Sequence, residues 1–144
     1  MFESAADKYP PKVLLHGEPF ASNIFRRLDN TELVWTIVDW TGCHSGCYGE
    51  DLAKAICWNL STKDRLECTT SLLEEYYQHV MRYSGDLELT MNDVRKAYDA
   101  FLPVAMVTFT AKIMEMQNKG DVESLLERAK GLIENLYTLI KLNE

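Results

Sequence analysis

The sequence lacks the features that mark several classes of protein. No apolar run approaches the roughly 18–20 residues that a membrane span needs, so we expect no membrane association. The first eight residues, MFESAADK, contain neither a basic stretch nor an apolar stretch, so we predict no secretory signal and a cytoplasmic location. The chain has only 4 prolines among its 144 residues, and 47% of all residues are hydrophobic. This composition disfavours wholesale disorder, and the length indicates one domain.

Positive charge is also scarce. The chain has 15 Lys and Arg against 22 Asp and Glu, which leaves a net charge of -7. Because an acidic surface repels phosphate backbones, we expect no nucleic-acid partner.

Cysteine occurs four times, at Cys43, Cys47, Cys57 and Cys68. In the reducing cytosol disulfides are rare, so we expect none. Cys43 and Cys47 bracket His44, which suggests a metal site, but three residues separate them where zinc knuckles and redox pairs usually have two. We interpret the thiols as small buried side chains and keep a zinc site as the minor alternative.

The first third of the chain predicts short extended segments. Residues 23–26 and 33–38 are rich in branched and aromatic side chains, and they flank the turn-forming residues 28–31. This pattern predicts a β-hairpin whose second strand ends at Asp39. A glycine-containing loop is predicted to follow over residues 41–49.

Residues 51–144 predict a helical subdomain, which follows the loops and hairpin of residues 10–50 within one partial domain. Ser61 and Thr90 each precede an Asp by three residues, a spacing typical of helix N-caps. Pro103 falls inside the third helical pattern, and we expect it to kink or interrupt that helix. The fold class predicted is mainly α with a small hairpin. The helices are expected over residues 51–59, from Ser61 to Gly85, from Thr90 to about Asn118, and from Val122 to Ile140.

Polar residues in the non-helical part of the chain suggest a reaction. Carboxylates directly after apolar strands are unusual, because burying them is costly unless they have a partner. Phosphoryl transfer needs one carboxylate to accept the proton of the attacking hydroxyl, and an amide oxygen with a second carboxylate to hold magnesium. Glu18 and Asn23 are five positions apart, the spacing of base and metal ligand in kinases, and Asp39 ends the predicted hairpin.

Four segments carry a family resemblance. Residues 14–24, LLHGEPFASNI, resemble the catalytic loop of the choline-kinase-like (CHK) and ecdysteroid-kinase-like families, whose pattern is His-Gly-Asp-Leu-Trp-x-x-Asn-Ile. Residues 37–40, IVDW, resemble the metal loop of those families. Residues 51–53, DLA, and 72–77, LLEEYY, resemble the helix start and the segment that follow. The resemblance implies the C-terminal lobe of a protein-kinase-like fold, which aminoglycoside phosphotransferases share.

The resemblance also implies roles for individual residues. Glu18 stands at the position of the catalytic base, and His16 braces the catalytic loop. Asn23 and Asp39 stand at the magnesium positions and, through the metal, would bind ATP. Asp51 would hold the backbone of the loop from the helix start, which is a structural role. The implied activity is ATP- and Mg²⁺-dependent phosphorylation of a small-molecule alcohol.

The sequence departs from the family pattern at two positions and over one region. Glu18 replaces the family's Asp, and its extra methylene moves the carboxylate by roughly 1 Å, a displacement that can cost about 100-fold in rate. Phe20 replaces the Trp of the family pattern and keeps an aromatic ring at that position. The seven glycines form no phosphate-covering loop, and the family's N-terminal lobe has no counterpart. The resemblance therefore implies a truncated kinase-like domain, weakly active or inactive as an isolated chain.

Other interpretations of the same residues stay open. The structural ones are a satisfied buried histidine at His16, a solvated carboxylate at Glu18, a turn cap at Asn23, a loop brace at Asp39 and a helix cap at Asp51. For the whole chain, one alternative is a non-catalytic, pseudokinase-like binding module, whose uncovered apolar surface would favour a protein partner or self-association. Another is a helical scaffold without kinase ancestry, which predicts no hairpin at residues 23–39.

Overall fold

A computed structural model describes residues 12–29, 31–85, 87–116 and 122–142 of the chain. In that part the protein is mainly helical with two small antiparallel sheets. The strands are β1 (Lys12–Leu15), β2 (Ile24–Asp29), β3 (Glu32–Ile37) and β4 (His44–Cys47). The helices are α1 (Tyr48–Asn59), α2 (Thr62–Tyr83), α3 (Met91–Met116) and α4 (Val122–Leu142).

The predicted hairpin is confirmed. Strands β2 and β3 pair antiparallel, with Ile24 opposite Ile37 and Leu28 opposite Leu33. Turn-forming residues between two β-branched and aromatic runs produce this pairing, because they let the chain reverse while both runs stay extended. The hairpin carries the segments that precede β2 and follow β3 to the same end of the sheet.

The expected loop over residues 41–49 is wrong in part, because β4 lies inside it. Strand β4 pairs antiparallel with β1, and His44 lies opposite Leu15. The four residues of β4, HSGC, have no alternating apolar pattern and little intrinsic preference for a strand. Backbone pairing with β1 forms this strand, and that partner lies about thirty residues earlier in the chain.

The helices follow the expected pattern, with one shifted start. Helix α1 begins at Tyr48, three residues before its predicted start at Asp51. Ser61 caps α2 as predicted, because its hydroxyl oxygen accepts a hydrogen bond from the backbone N–H of Asp64 at 3.1 Å. The predicted end of the third helix near Asn118 and its stop at Gly120 lie outside the described residues.

The predicted interruption at Pro103 is wrong, since α3 is one helix from Met91 to Met116 with the proline inside it. Proline removes one backbone donor from a helix and crowds the preceding turn. Its neighbours Phe101, Leu102 and Ala105 are buried, so packing on both sides of the proline holds the helix together.

The core lies where α1 packs against α3. Gly49 allows the close approach of the two helices, because a Cβ atom at this position would stand 2.5 Å from the backbone oxygen of Ala97. The indole N–H of Trp58 donates to the backbone oxygen of Ala105 at 3.0 Å and fixes the far end of the contact. The buried apolar side chains of α3 are Val94, Ala97, Tyr98, Phe101, Leu102, Ala105, Phe109 and Ile113.

Helix α3 is long and apolar enough over Met91–Met114 to cross a membrane by length and composition, with a mean hydropathy of 1.2. Of the 18-residue window that has this mean hydropathy, 39% is buried inside the protein. The central helix of a folded core passes the same test, so the finding is weak evidence for a membrane span.

Candidate active site

Helix α1 holds the predicted catalytic loop, residues 14–24, through its first turn. Asp51 accepts two backbone hydrogen bonds, one from the N–H of His16 at 2.6 Å and one from the N–H of Gly17 at 3.0 Å. Bonds to an ionised carboxylate are about twice as strong as neutral ones, so this contact fixes the start of the loop.

Two further residues of α1 hold the same loop and were missed by the sequence analysis. The ammonium group of Lys54 donates to the backbone oxygen of Gly17 at 2.8 Å. The amide of Asn59 donates to the backbone oxygen of Pro19 at 2.8 Å and accepts from the N–H of Ala21 at 2.7 Å. A usable signal was present for Lys54, because positions 51 and 54 are three residues apart and lie on one face of an α-helix. Asn59, five positions after Lys54, lies about 140° further around the helix, so spacing gave no signal for it.

His16 joins the catalytic loop to the segment after the hairpin. Its Nε2 lies 2.8 Å from the backbone oxygen of Val38, and its Nδ1 lies 3.3 Å from the backbone nitrogen of Glu18. A neutral ring with the proton on Nε2 satisfies both contacts, since Nε2 then donates and Nδ1 accepts. The ring is buried, and its centroid is 4.8 Å from that of Trp40.

A second contact between the two segments depends on Gly17. Its φ of 85° lies in the left-handed region that glycine adopts without penalty. A Cβ atom here would also collide with the backbone oxygen of Gly42. The predicted catalytic loop and the loop after β3 are therefore in direct backbone contact.

The hairpin brings Asn23 and Asp39 to the same end of the sheet. The backbone N–H of Val38 donates to the backbone oxygen of Asn23 at 2.9 Å, one pair beyond the end of the β2–β3 ladder. The side-chain amide of Asn23 donates to the backbone oxygen of Glu18 at 3.1 Å. Asn23 thus contacts both the predicted base residue and the residue before Asp39.

Asp39 has a left-handed backbone, with φ 62° and ψ 62°, which no other non-glycine residue has in the described part of the chain. Such a conformation is uncommon and is most easily tolerated by Asp and Asn. The hydroxyl of Thr41 donates to Oδ1 of Asp39 at 2.7 Å and orients the carboxylate. Strained backbone of this kind is frequent at functional sites.

The donor atoms of Asn23 and Asp39 fit magnesium. The Oδ1 atom of Asn23 and the Oδ2 atom of Asp39 have no hydrogen-bond partner among the residues that the structure describes. Both are hard oxygen ligands, and magnesium typically takes one or two such groups and completes its octahedron with water and phosphate. The described residues contain no group of three or more His, Cys, Asp or Glu that could hold a metal.

Glu18 has a cationic partner on α3, which sequence reasoning also missed. The ammonium group of Lys112 donates to Oε2 of Glu18 at 3.0 Å, across 94 positions of the chain. Glu18 is partly exposed, so water screens this ion pair and its contribution to stability is small.

Beside the loop, Glu50 joins two basic side chains. It accepts a hydrogen bond from Lys54 at 2.6 Å and lies 3.3 Å from Nε2 of His44. Burial raises the pKa of Glu50, but the hydrogen bonds and charges of Lys54 and His44 together outweigh burial and leave that pKa below its ordinary value. The hydrogen bond to the backbone oxygen of Gly42, followed by the contact with Glu50, raises the pKa of His44.

The four cysteines take no part in the loop contacts described above. All four are free thiols, and Cys47 and Cys57 are buried as predicted, whereas Cys43 is exposed and Cys68 is half-buried. Burial raises the pKa of the Cys57 thiol, which suits a packing role better than a reactive one.

Comparison with known proteins places the chain in a family. The DUF1679 family model, whose description reads "Uncharacterized oxidoreductase dhs-27", matches residues 9–142. No curated protein and no solved structure matches the chain.

Proposed function

The chain belongs to the DUF1679 family, and from that premise we propose that it is the catalytic-loop lobe of an ATP- and Mg²⁺-dependent phosphotransferase with an alcohol acceptor. The observation that carries the proposal is the junction of two loops at one end of the hairpin. His16 bonds to Val38, Asn23 bonds to the backbone of Glu18, and the strained Asp39 follows directly. These contacts support the proposal, because phosphoryl transfer requires a base and two metal ligands in one place.

Each side chain in the proposal has one task. Glu18 accepts the proton of the acceptor hydroxyl while the γ-phosphoryl group of ATP passes to that oxygen, which leaves ADP and a phosphate ester. Asn23 and Asp39 would hold magnesium, which when bound neutralises charge on the phosphate oxygens. His16 and Asp51 keep the loop backbone in place, and the resemblance to the CHK and ecdysteroid-kinase-like families supports these assignments.

The base position carries the largest expected cost to the rate. A glutamate at position 18 extends one methylene further than the family's aspartate, and a misplacement of about 1 Å can cost about 100-fold. Lys112 gives Glu18 a fixed partner, which limits the conformations that the longer side chain samples. We therefore expect slow turnover rather than the 1–100 s⁻¹ typical of kinases.

The word "oxidoreductase" in the family description suggests different chemistry. Dinucleotide-dependent oxidoreductases often carry a Gly-x-Gly-x-x-Gly turn between a strand and a helix. The glycines of this chain, at positions 17, 42, 46, 49, 85, 120 and 131, include no such spacing. The loop residues, rather than the family description, therefore support the proposed phosphotransferase.

The direct test is Mg²⁺-dependent ATP turnover by the purified chain with a panel of small alcohols. Replacement of Asp39 by alanine is expected to lower turnover at least about 100-fold, because phosphoryl transfer depends on metal-bound charge stabilisation. Asp29→Ala is the matched control, since Asp29 is an exposed aspartate at the other end of the hairpin. Absence of turnover with every acceptor, or equal turnover in both variants, would reject the proposal.

A second candidate is a non-catalytic binding module, which one observation favours. The face of the hairpin formed by Leu28, Leu33 and Trp35 is exposed, with 71%, 52% and 60% of each residue accessible. Contiguous apolar surface of this kind typically marks an interaction site. This function predicts association through the hairpin and no dependence of that association on Asp39.

A further inference from the structure

His44, the first residue of β4, lies between two hydrogen-bond acceptors. Its Nδ1 is 2.9 Å from the backbone oxygen of Gly42, and its Nε2 is 3.3 Å from Oε2 of Glu50. A carbonyl and an ionised carboxylate only accept, so each ring nitrogen must carry a proton for both contacts to be hydrogen bonds. A neutral imidazole has one such proton, and the geometry therefore favours the imidazolium form.

Both acceptors lead to the same residue of the predicted catalytic loop. Glu50 accepts a second hydrogen bond from Lys54 at 2.6 Å, and Lys54 also donates to the backbone oxygen of Gly17 at 2.8 Å. On the other side of the ring, the backbone oxygen of Gly42 lies against Gly17, where a Cβ atom would not fit. His44 therefore closes a ring of contacts that begins and ends at Gly17, the residue before the proposed base.

This ring of contacts joins a buried ion pair to a titratable group at the surface. The side chains of Lys54 and Glu50 are only 8% and 16% exposed, so solvent screens their attraction little. The side chain of His44 is 44% exposed and exchanges protons with water. Because an ordinary histidine titrates near pH 6.5, His44 changes charge in a range of pH where a carboxylate and an ammonium group keep theirs.

The charged groups that act on His44, among the residues that the structure describes, are Glu50 and Lys54 of α1. The hydrogen bond to Gly42, followed by that to Glu50, raises the pKa of His44. Burial and the charge of Lys54 lower that pKa, and the net change is upward. Strand β1 places the uncharged Leu15 opposite His44. The imidazolium is therefore fully present below about pH 6.5 and is lost as the pH rises through the higher pKa of the folded chain.

We propose that protonated His44 is a positioning residue that holds the predicted catalytic loop against the loop after β3, and that a rise in pH releases this hold. A neutral ring keeps one hydrogen bond and turns its other lone pair toward an oxygen atom, so the contact with either Gly42 or Glu50 becomes repulsive. Loss of either contact loosens the packing of Gly42 on Gly17. The effect on turnover rests on the proposed function, whereas the loosening of the loop does not.

The first test is an NMR titration of the ¹³C,¹⁵N-labelled chain from about pH 6 to about pH 9, without nucleotide or metal. We expect the ring of His44 to lose its proton above about pH 6.5, and the amides of Gly17 and Gly42 to shift with the same midpoint. Hydrogen exchange at Gly17, corrected for the intrinsic effect of pH, should accelerate at least about threefold across that midpoint. Loop amides that do not follow His44, or unchanged exchange at Gly17, would overturn the proposal.

Two variants separate the charge of His44 from its size. His44→Arg stays charged and has donors for both acceptors, so Gly17 should remain protected at every pH. His44→Gln is uncharged and should already show at about pH 6 the exchange that the native chain reaches at about pH 9. His79→Gln is the matched control, because His79 is exposed too but lies 3.9 Å from Glu75 of its own helix. Equal exchange in the Arg and Gln variants of His44 would also overturn the proposal.

Turnover distinguishes this proposal from the proposed function. With ATP, Mg²⁺ and an accepted alcohol, the ratio of native to His44→Arg activity should fall at least about threefold from about pH 6 to about pH 9. Loop exchange that follows His44 without turnover at any pH would reject the phosphotransferase and leave the role of His44 standing. Turnover with the same pH profile in both chains would support the phosphotransferase and reject the role of His44.

Discussion

At the scale of the residue, the site is built from side chains that bond to backbone. Asp39 holds a left-handed conformation that costs a non-glycine residue roughly 1–2 kcal/mol, and the hydrogen bond from Thr41 offsets part of that cost. Asp51 and Asn59 bond to loop backbone and to no proposed reactant. The residues that shape the loop are therefore distinct from those proposed to react.

Replacement of Asp51 by alanine tests the strength of this support. The backbone N–H groups of His16 and Gly17 would lose their acceptor, and we expect the free energy of unfolding to fall by about 2–4 kcal/mol. Asp51→Asn, which keeps one acceptor oxygen, should lose about half as much. Urea denaturation measures both losses, and amide exchange at positions 16 and 17 locates them. A change below about 0.5 kcal/mol, as is typical of surface substitutions, would contradict this account.

At the scale of the element, helix α3 contains the clearest conflict between local preference and tertiary packing. Proline inside a helix costs about 3 kcal/mol relative to alanine, yet α3 continues through Pro103. The buried residues on either side supply the compensating contacts with the core. Rules based on local sequence do not include tertiary packing, and they therefore predicted a break at this proline.

Replacement of Pro103 by alanine should stabilise the protein. The new backbone N–H can complete the helical hydrogen bond, and Pro103 is exposed, so no core contact is removed. We expect the free energy of unfolding to rise by about 1–3 kcal/mol in chemical denaturation. The neighbouring Val104→Ala is the control, with an expected change within about 0.5 kcal/mol. A lower stability of Pro103→Ala than of the native chain would show that the proline makes a favourable contact.

The hairpin is an element where local composition was informative. Its two strands are rich in branched and aromatic residues and flank turn-forming ones, and this pattern predicted the pairing. Strand β4 has no comparable pattern, because its pairing with β1 depends on tertiary contact rather than on its own residues. The sequence could therefore reveal the first sheet and not the second.

At the scale of the whole molecule, the number of positions between two residues determines whether the sequence alone can predict their contact. Asp51 was predicted to begin α1 and lies instead in the first turn of that helix, three residues after its start. The ion pair between Glu18 and Lys112 spans 94 positions and follows no local rule. Helix faces are readable over short distances, so Lys54 was in principle detectable from its spacing to Asp51. The contacts that join His44 to Gly17 depend on the pairing of β4 with β1, which only the folded chain determines.

Association through the hairpin is a property of the whole molecule that can be measured directly. If the hairpin face is an interaction surface, the native chain should show a concentration-dependent rise in mass by light scattering. The double variant Leu28→Lys with Leu33→Glu should stay monomeric, because opposite charges on directly paired positions preserve the strand pairing while they remove the apolar face.

The matched control for association changes the opposite face of the same hairpin. Phe25 and Thr36 are also paired across the strands, so Phe25→Lys with Thr36→Glu introduces the same charges elsewhere. This control should associate as the native chain does. A native chain that remains monomeric at every concentration would exclude self-association as the function of this face.

The hydrogen bonds from α1 to the backbone of residues 16–21 have a consequence for how such a protein can evolve. Asp51, Lys54 and Asn59 would preserve the shape of that segment even in a descendant whose Glu18, Asn23 or Asp39 had drifted to other residues. Mutations could therefore remove the proposed activity and leave the fold of this segment intact. In a deep mutational scan, abundance should be sensitive at the three helix positions, and the three loop positions should tolerate far more substitutions.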